Sequence, residues 1–124
     1  MPPRWNEETT LKFVLLYVKH ECLWNANNET YRQQFNRRIA LNDIMKEMNL
    51  ENFTINDVKQ KIKSLRATYQ QEQAKIERSE QSGATDVYRP SLKWFSLMED
   101  VMKHSTLKRK LASNNYVVSI FIVI

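Results

Sequence analysis

Apolar residues recur along this chain at the three- and four-residue spacings of amphipathic helices. The first such stripe consists of Leu11, Val14, Leu15 and Val18. It predicts a helix from about Glu8 to Glu21, whose first amides we expect Thr9 or Thr10 to cap. We expect the next two apolar residues, Leu23 and Trp24, to pack beneath the end of this helix.

A second helix is predicted from about Phe35 to Met48, with Asn36 as its N-terminal cap. Arg37 and Arg38 fall in its first turn, where the helix dipole is already positive. Each cation there costs roughly a few tenths of a kcal/mol, and a phosphate bound outside the helix would compensate both. Arg37 and Arg38 are therefore candidate phosphate contacts.

A third and longest helix is predicted to begin after Thr54, whose side chain can cap the amide of Asp57. Its apolar stripe consists of Ile55, Val58, Ile62, Leu65, Tyr69 and Ile76. This pattern continues to near Ser79, and the polar segment from Ser79 to Asp86, which contains Gly83, is predicted to be a loop.

A fourth helix is predicted from about Ser91 to His104. Its apolar residues are Trp94, Phe95, Met98, Val101 and Met102. A chain of 124 residues is enough for one domain. A single glycine and three prolines argue against β-sandwiches, barrels and glycine-cradled phosphate sites. The predicted fold class is therefore all-α.

Charge changes this picture, because 19 Lys and Arg against 14 Asp and Glu leave a net charge of +5 at pH 7. An excess of this sign favours an anionic partner such as nucleic acid or a membrane surface. The membrane is disfavoured here because the apolar faces are needed to pack the helices against one another.

The third helix carries much of this charge. Between Asp57 and Glu72 there is no acidic residue, and the basic residues are Lys59, Lys61, Lys63 and Arg66. At about 100° per residue, four polar side chains gather within about 60° on one flank of the helix. They are Lys59, Lys63, Arg66 and Gln70. A helix of this kind fits the major groove of DNA, where Lys and Arg reach guanine or phosphate and Gln bonds adenine.

Two alternatives stay open for the basic residues. The stripe on the third helix can simply keep the surface soluble. A second basic group, at Lys103, Lys108, Arg109 and Lys110, fits a nuclear import signal, a phosphate contact or a solubilising tail.

Catalytic and metal chemistry find no support in the sequence. The single cysteine, Cys22, excludes a disulfide framework within the chain, and His20, Cys22 and His104 lack the spacing of a structural zinc site. No Ser-His-Asp set, paired carboxylates in apolar surroundings, Walker loop or zinc-deaminase signature is present. We therefore expect no enzyme activity, no cofactor, no metal and no small-molecule substrate.

Many residues along the chain form a set of anchors in register. They are Trp5, Glu8, Thr10, Phe13, the run Cys22-Leu23-Trp24-Asn25, Tyr31, the block from Val58 to Tyr69, Glu72, Lys75, Ser79, Ser82, Gly83, Tyr88, Pro90, Leu92, Trp94 and Phe95. Together these anchors resemble the MADF family, a Myb/SANT-like domain. The resemblance covers residues 5–104 and implies a helix-turn-helix-like core of three helices with an additional C-terminal helix.

The resemblance also implies a nuclear protein that binds double-stranded DNA in transcriptional regulation, with the third helix as the recognition helix. Its candidate DNA contacts are Lys59, Lys61, Lys63, Arg66 and Gln70. The alternative is a protein-interaction module of a chromatin or transcription complex, since Myb/SANT-like folds also dock proteins.

Residues 105–124 lie beyond this resemblance, and the part from Ser113 to Ile124 matches nothing in the family. They begin basic and end in a β-prone apolar tail from Ser113 to Ile124. We expect residues 105–124 to be disordered. The alternative is that the apolar tail adds as a strand to the sheet edge of a partner.

Overall fold

The computed structural model describes residues 5–83 and 85–103, and these residues form helices and connecting turns with no strand. The elements are α1 (Glu7–Lys19), a short 3-10 helix (Glu21–Leu23), α2 (Gln34–Met48), α3 (Ile55–Gln81) and α4, which covers residues 95–103. The predicted all-α fold class is confirmed.

The start of α1 differs from the prediction. Asn6 is the N-cap, and its side-chain carbonyl accepts a hydrogen bond of 2.8 Å from the Thr9 amide. Thr10, one of the two predicted caps, lies inside the helix and donates its hydroxyl to the Asn6 carbonyl at 3.1 Å. Asn6 can cap because its backbone is extended and its short side chain reaches the N3 amide.

Asn36 does not cap α2, contrary to the sequence prediction. The helix begins at Gln34, and Gln33 is its N-cap residue without a capping hydrogen bond from its side chain. Asn36 instead donates its side-chain amide to the Gln33 side chain, one turn back. A polar residue near a helix start can belong to the first turn as well as to the cap, so the pattern alone placed this boundary late.

The predicted cap of α3 is confirmed and is part of a capping box. The Asp57 amide donates to the Thr54 hydroxyl at 3.2 Å, while the Thr54 amide donates to the Asp57 carboxylate at 2.9 Å. The helix extends to Gln81, slightly beyond the predicted end near Ser79. Gly83 follows with a φ of 71°, a left-handed conformation that glycine adopts without strain.

Apolar residues from all four helices form one core. Its fully buried members are Phe13, Val14, Tyr17, Ile44, Val58, Met98 and Val101. Leu23 and Trp24 pack beneath the end of α1 as predicted, and the Trp24 indole N–H donates to the carbonyls of Tyr17 and Val18 at 3.1 and 3.2 Å. Because α2 contacts α1, the 3-10 helix and α3, residues from all of these elements come close to one another there.

The fourth helix forms as predicted but starts later than Ser91, because residues 91–92 have no regular structure and 93–94 form a turn. Its predicted end at His104 lies outside the described residues. So do Lys108, Arg109 and Lys110, and the tail from Ser113 to Ile124. The predicted domain limits and the expected disorder of the tail therefore stay predictions.

Candidate nucleic-acid interface

A cleft of about 500 Å³ opens between α2 and α3, with the end of α1 and the 3-10 helix as its floor. Its lining consists of Tyr17, Leu23, Gln34, Arg37, Arg38, Leu41, Ile55, Lys59, Ile62 and Arg66. We call it the basic cleft, because four of these side chains carry a positive charge and none carries a negative one. The four cations come from two different helices, α2 and α3, so only the packing of these helices brings them together.

The cations of the basic cleft have no acidic partner among the described residues. Among the described residues, ion pairs join Glu72 to Lys75, Glu7 to Lys93 and Glu99 to Lys103, and all three pairs lie outside the cleft. Like charges at close range raise the free energy of the unbound protein, and a bound anion would remove that cost.

Arg37 is held in place by neighbouring backbone groups. One terminal nitrogen of its guanidinium donates to the carbonyls of Cys22 and Tyr31 at 3.2 and 3.3 Å. The guanidinium also lies 5.1 Å from the centroid of the Tyr31 ring. The carbonyls and the ring partly offset the unfavourable interaction between the Arg37 cation and the positive end of the α2 dipole. The sequence prediction assigned this compensation to a phosphate alone.

Tyr17 brings a buried hydroxyl to the floor of the basic cleft. The Arg66 guanidinium lies close enough to this oxygen to lower the pKa of Tyr17 as a hydrogen-bond donor, although no hydrogen bond of ordinary geometry reaches the oxygen among the described residues. Because Arg66 can only donate, the proton of the hydroxyl has no acceptor there. Burial raises the pKa of Tyr17, and the cations of Arg66 and Arg37 offset only part of that rise. The hydroxyl is therefore protonated at neutral pH and is available as a donor.

The predicted residues of α3 separate into three groups in the structure. Lys59 and Arg66 line the basic cleft, while Lys63 and Gln70 are exposed further around the same flank. Lys61 lies about 160° away around the helix from Lys63 by helical geometry. Its ammonium group is 4.5 Å from the centroid of the Trp5 ring, and burial lowers its pKa.

The structure thus brings together four of the seven predicted contacts, namely Arg37, Arg38, Lys59 and Arg66. Sequence reasoning did not find Tyr17, which it assigned to no site. The one available signal was a hydroxyl-bearing residue on the apolar face of α1. That signal has no meaning until the partners of the hydroxyl are known.

Within residues 5–83 and 85–103, no three His, Cys, Asp or Glu side chains come together as a possible metal site. In the same residues, no helix has both the length and the apolar character required to cross a membrane.

Residues 13–100 match the family model described as "Alcohol dehydrogenase transcription factor Myb/SANT-like", the MADF DNA-binding domain. This chain belongs to the MADF family. The resemblance predicted from the sequence is thereby confirmed. Neither the comparison with curated proteins nor the comparison with solved structures gives a match.

The MADF domain is a Myb/SANT-like DNA-binding module of transcription factors, and the family is not an enzyme family. All residues that line the basic cleft lie within the matched range. The basic cleft therefore belongs to the MADF domain itself.

Proposed function

We propose that this MADF domain binds double-stranded DNA sequence-specifically in transcriptional regulation, with α3 in the major groove. The observation that carries the proposal is the basic cleft, where cations of α2 and α3 converge without an acidic partner among the described residues. Neutralisation of phosphates by Lys and Arg supplies most of the affinity of such domains, and contacts with base edges supply the specificity.

The two helices would have different tasks. Arg37 and Arg38, near the start of α2, would contact the phosphate backbone. Lys63 and Gln70 are exposed on the flank of α3, where side chains of a recognition helix reach base edges. Lys59 and Arg66 connect the two surfaces, since they lie on α3 and line the cleft.

Lys61 was a candidate contact in the sequence, and we propose a lesser role for it. Its position over Trp5 turns the ammonium group away from the flank that carries Lys63. A long-range attraction to the duplex would be its only contribution to binding.

Selection of bound sequences from a random duplex pool tests sequence specificity. The proposal predicts an enriched motif for the wild-type domain and its loss in Lys63→Ala or Gln70→Ala, because these two side chains are the ones proposed to read bases. Recovery of unenriched sequences from a protein that binds duplexes would contradict specificity while leaving DNA binding intact.

A second candidate function is a protein-interaction module of a chromatin or transcription complex. It is favoured by two exposed apolar residues one turn apart on α2, Phe35 at 75% and Ile39 at 44% exposure. A protein-docking domain would lose its partner in Phe35→Ser and return no DNA motif. The DNA-binding proposal expects Phe35→Ser to retain duplex affinity.

We further propose that the protein acts in the nucleus, as expected for a DNA-binding domain of transcription factors. No enzyme activity and no small-molecule substrate are part of the proposal. Other transcription or chromatin proteins would be additional partners, bound through surfaces other than the basic cleft.

A further inference from the structure

The hydroxyl of Tyr17 is the one buried polar group in the described part of the basic cleft that lacks a hydrogen-bond partner. The side chain is only 1% exposed, so water does not solvate this hydroxyl freely. A buried donor without a partner destabilises the fold, and such groups call for an explanation in a native structure.

The surroundings of the hydroxyl show which charges lie near it. Its electrostatic neighbours are the guanidinium groups of Arg66 and Arg37 and the side chain of Tyr31. The two guanidinium groups belong to residues that line the basic cleft, and Tyr17 itself is part of the apolar core. The hydroxyl therefore lies close to the positive charge of the basic cleft.

We infer that the basic cleft binds one backbone phosphate of the duplex, and that a shift of the Arg66 side chain on binding lets the Tyr17 hydroxyl donate a hydrogen bond to a phosphate oxygen. This inference rests on the proposed DNA-binding function and adds a residue and a ligand group to it. A phosphate accepts several hydrogen bonds at once, so a single group satisfies the hydroxyl and the cations together.

The guanidinium of Arg37 is held in a fixed position and still has N–H donors for an anion. Both of its hydrogen bonds to carbonyls come from the same terminal nitrogen. The N–H groups on its other two nitrogens have no partner among the described residues, and guanidinium has five such donors in a fixed plane. Because the group is already fixed by the two carbonyls and the Tyr31 ring, it loses little conformational entropy when an anion binds.

Arg66 supplies the second guanidinium, from α3, and it is half-buried. A phosphate between Arg37 and Arg66 would therefore touch α2 and α3 at once. Phosphate contacts fix the register and orientation of a protein on the duplex. This phosphate contact would determine how far α3 enters the major groove and which bases Lys63 and Gln70 reach.

Tyr17→Phe is the decisive variant, because it removes one hydroxyl and leaves the ring and all charges in place. The free protein should be at least as resistant to heat as wild type, since the lost hydroxyl had no partner. Its affinity for duplex DNA should nevertheless fall about tenfold, the effect of one hydrogen bond to a charged group. The dependence of affinity on salt should keep its slope, because no cation is removed.

Tyr69→Phe is the matched control. Tyr69 is also a buried tyrosine, but its ring stacks on Phe95 at 4.6 Å between centroids, and it does not line the cleft. Removal of the Tyr69 hydroxyl should leave duplex affinity unchanged. Equal duplex affinity of Tyr17→Phe and wild type would overturn the inference, as would an equal loss in both tyrosine variants.

A second measurement separates this inference from the proposed function. Inorganic phosphate, titrated at constant ionic strength, should shift the NMR amide signals of cleft residues in wild type and much less in Tyr17→Phe. Absence of these shifts in wild type would overturn the cleft as a phosphate site even if duplexes bind. If no duplex binds, the proposed function fails, and with it DNA as the source of the phosphate, while the titration still decides whether the cleft holds one.

Discussion

The ammonium group of Lys61 lies 4.5 Å from the centroid of the Trp5 ring, on the opposite flank of α3 from Lys63. Trp5 also packs against Phe13 and Phe53, at 5.4 and 5.6 Å between ring centroids. Two lysines separated by one residue therefore face different surroundings. One covers an aromatic cluster beside the core, and the other is free to meet a ligand.

This difference makes Lys61→Gln and Lys63→Gln a matched pair. We expect Lys63→Gln to weaken duplex binding and to reduce the slope of log K against log salt by about 0.9, the effect of one phosphate contact. Lys61→Gln should keep the slope and lower the free energy of unfolding by about 0.5 to 1 kcal/mol, through loss of the cation-π contact. Anisotropy titrations across salt and urea unfolding check both. Equal effects of the two variants on the slope would contradict the placement of Lys61 and Lys63 on opposite flanks of α3.

The capping box of α3 predicts a stability effect that leaves the interface chemistry untouched. Thr54→Ala removes the oxygen that accepts the Asp57 amide and should lower the free energy of unfolding by about 1 kcal/mol. Thr54→Ser retains the hydroxyl and should stay close to wild type. The measurement is urea unfolding followed by circular dichroism. A loss of equal size in both variants would assign the effect to the threonine methyl group.

The Tyr88 hydroxyl donates to the Glu72 carboxylate at 2.5 Å and attaches the segment after α3 to that helix. This hydrogen bond lowers the pKa of Glu72, with Lys75 a lesser cause, and raises the pKa of Tyr88. A lowered carboxyl pKa stabilises the fold above the ordinary value of 4.5 and loses its effect as the pH falls through the folded-state pKa. The raised tyrosine pKa gives a contribution that is present below pH 10.0 and is lost as the pH rises through the folded-state value.

We therefore expect Tyr88→Phe to raise the pKa of Glu72, as measured by NMR titration of its carboxyl carbon. The stability difference between this variant and wild type should vanish in strong acid, where the carboxyl is protonated in both proteins. An unchanged Glu72 pKa in the variant would show that the hydrogen bond is not formed in solution.

Truncation of Met98 tests how much the packing of α4 against the core contributes to stability. The Met98 side chain is fully buried, so Met98→Ala should cost about 3 kcal/mol through lost burial and a residual cavity. Leu15→Ala is the control, since Leu15 is 51% exposed on α1 and its truncation should cost little. Urea unfolding of both variants measures the difference. Similar small losses would mean that α4 packs loosely.

Local patterns predicted the helices because each apolar stripe has the period that burial of one helix face demands. The Thr54 cap was predictable for the same reason, since both partners of the capping box lie within four residues. Boundaries that depend on competition between neighbouring polar residues were less well predicted, as Asn6 and Asn36 illustrate.

The basic cleft was only partly predictable. The flank of α3 follows from helical geometry, but its meeting with Arg37 depends on how α2 packs against α3, which no local pattern contains. Lys61 differs from Lys63 because of Trp5, which lies 56 residues earlier in the chain. The role of Tyr17 likewise depends on contacts between helices that are distant in sequence.

The most direct test of DNA binding by this surface measures affinity for random-sequence duplexes across a range of salt concentrations. The variants are Lys63→Glu and Arg66→Glu, with Lys12→Glu as a control of equal charge change, because Lys12 is exposed on the side of α1 opposite Tyr17 by helical geometry. Thermal melts establish that each variant is folded.

We predict weaker binding and a shallower salt dependence for Lys63→Glu and Arg66→Glu, with a reduction of the slope by about 0.9 or more for each. Lys12→Glu should remain close to wild type. Binding by Lys63→Glu and Arg66→Glu that equals binding by Lys12→Glu would contradict the assignment of α3 and the basic cleft as the DNA-binding surface.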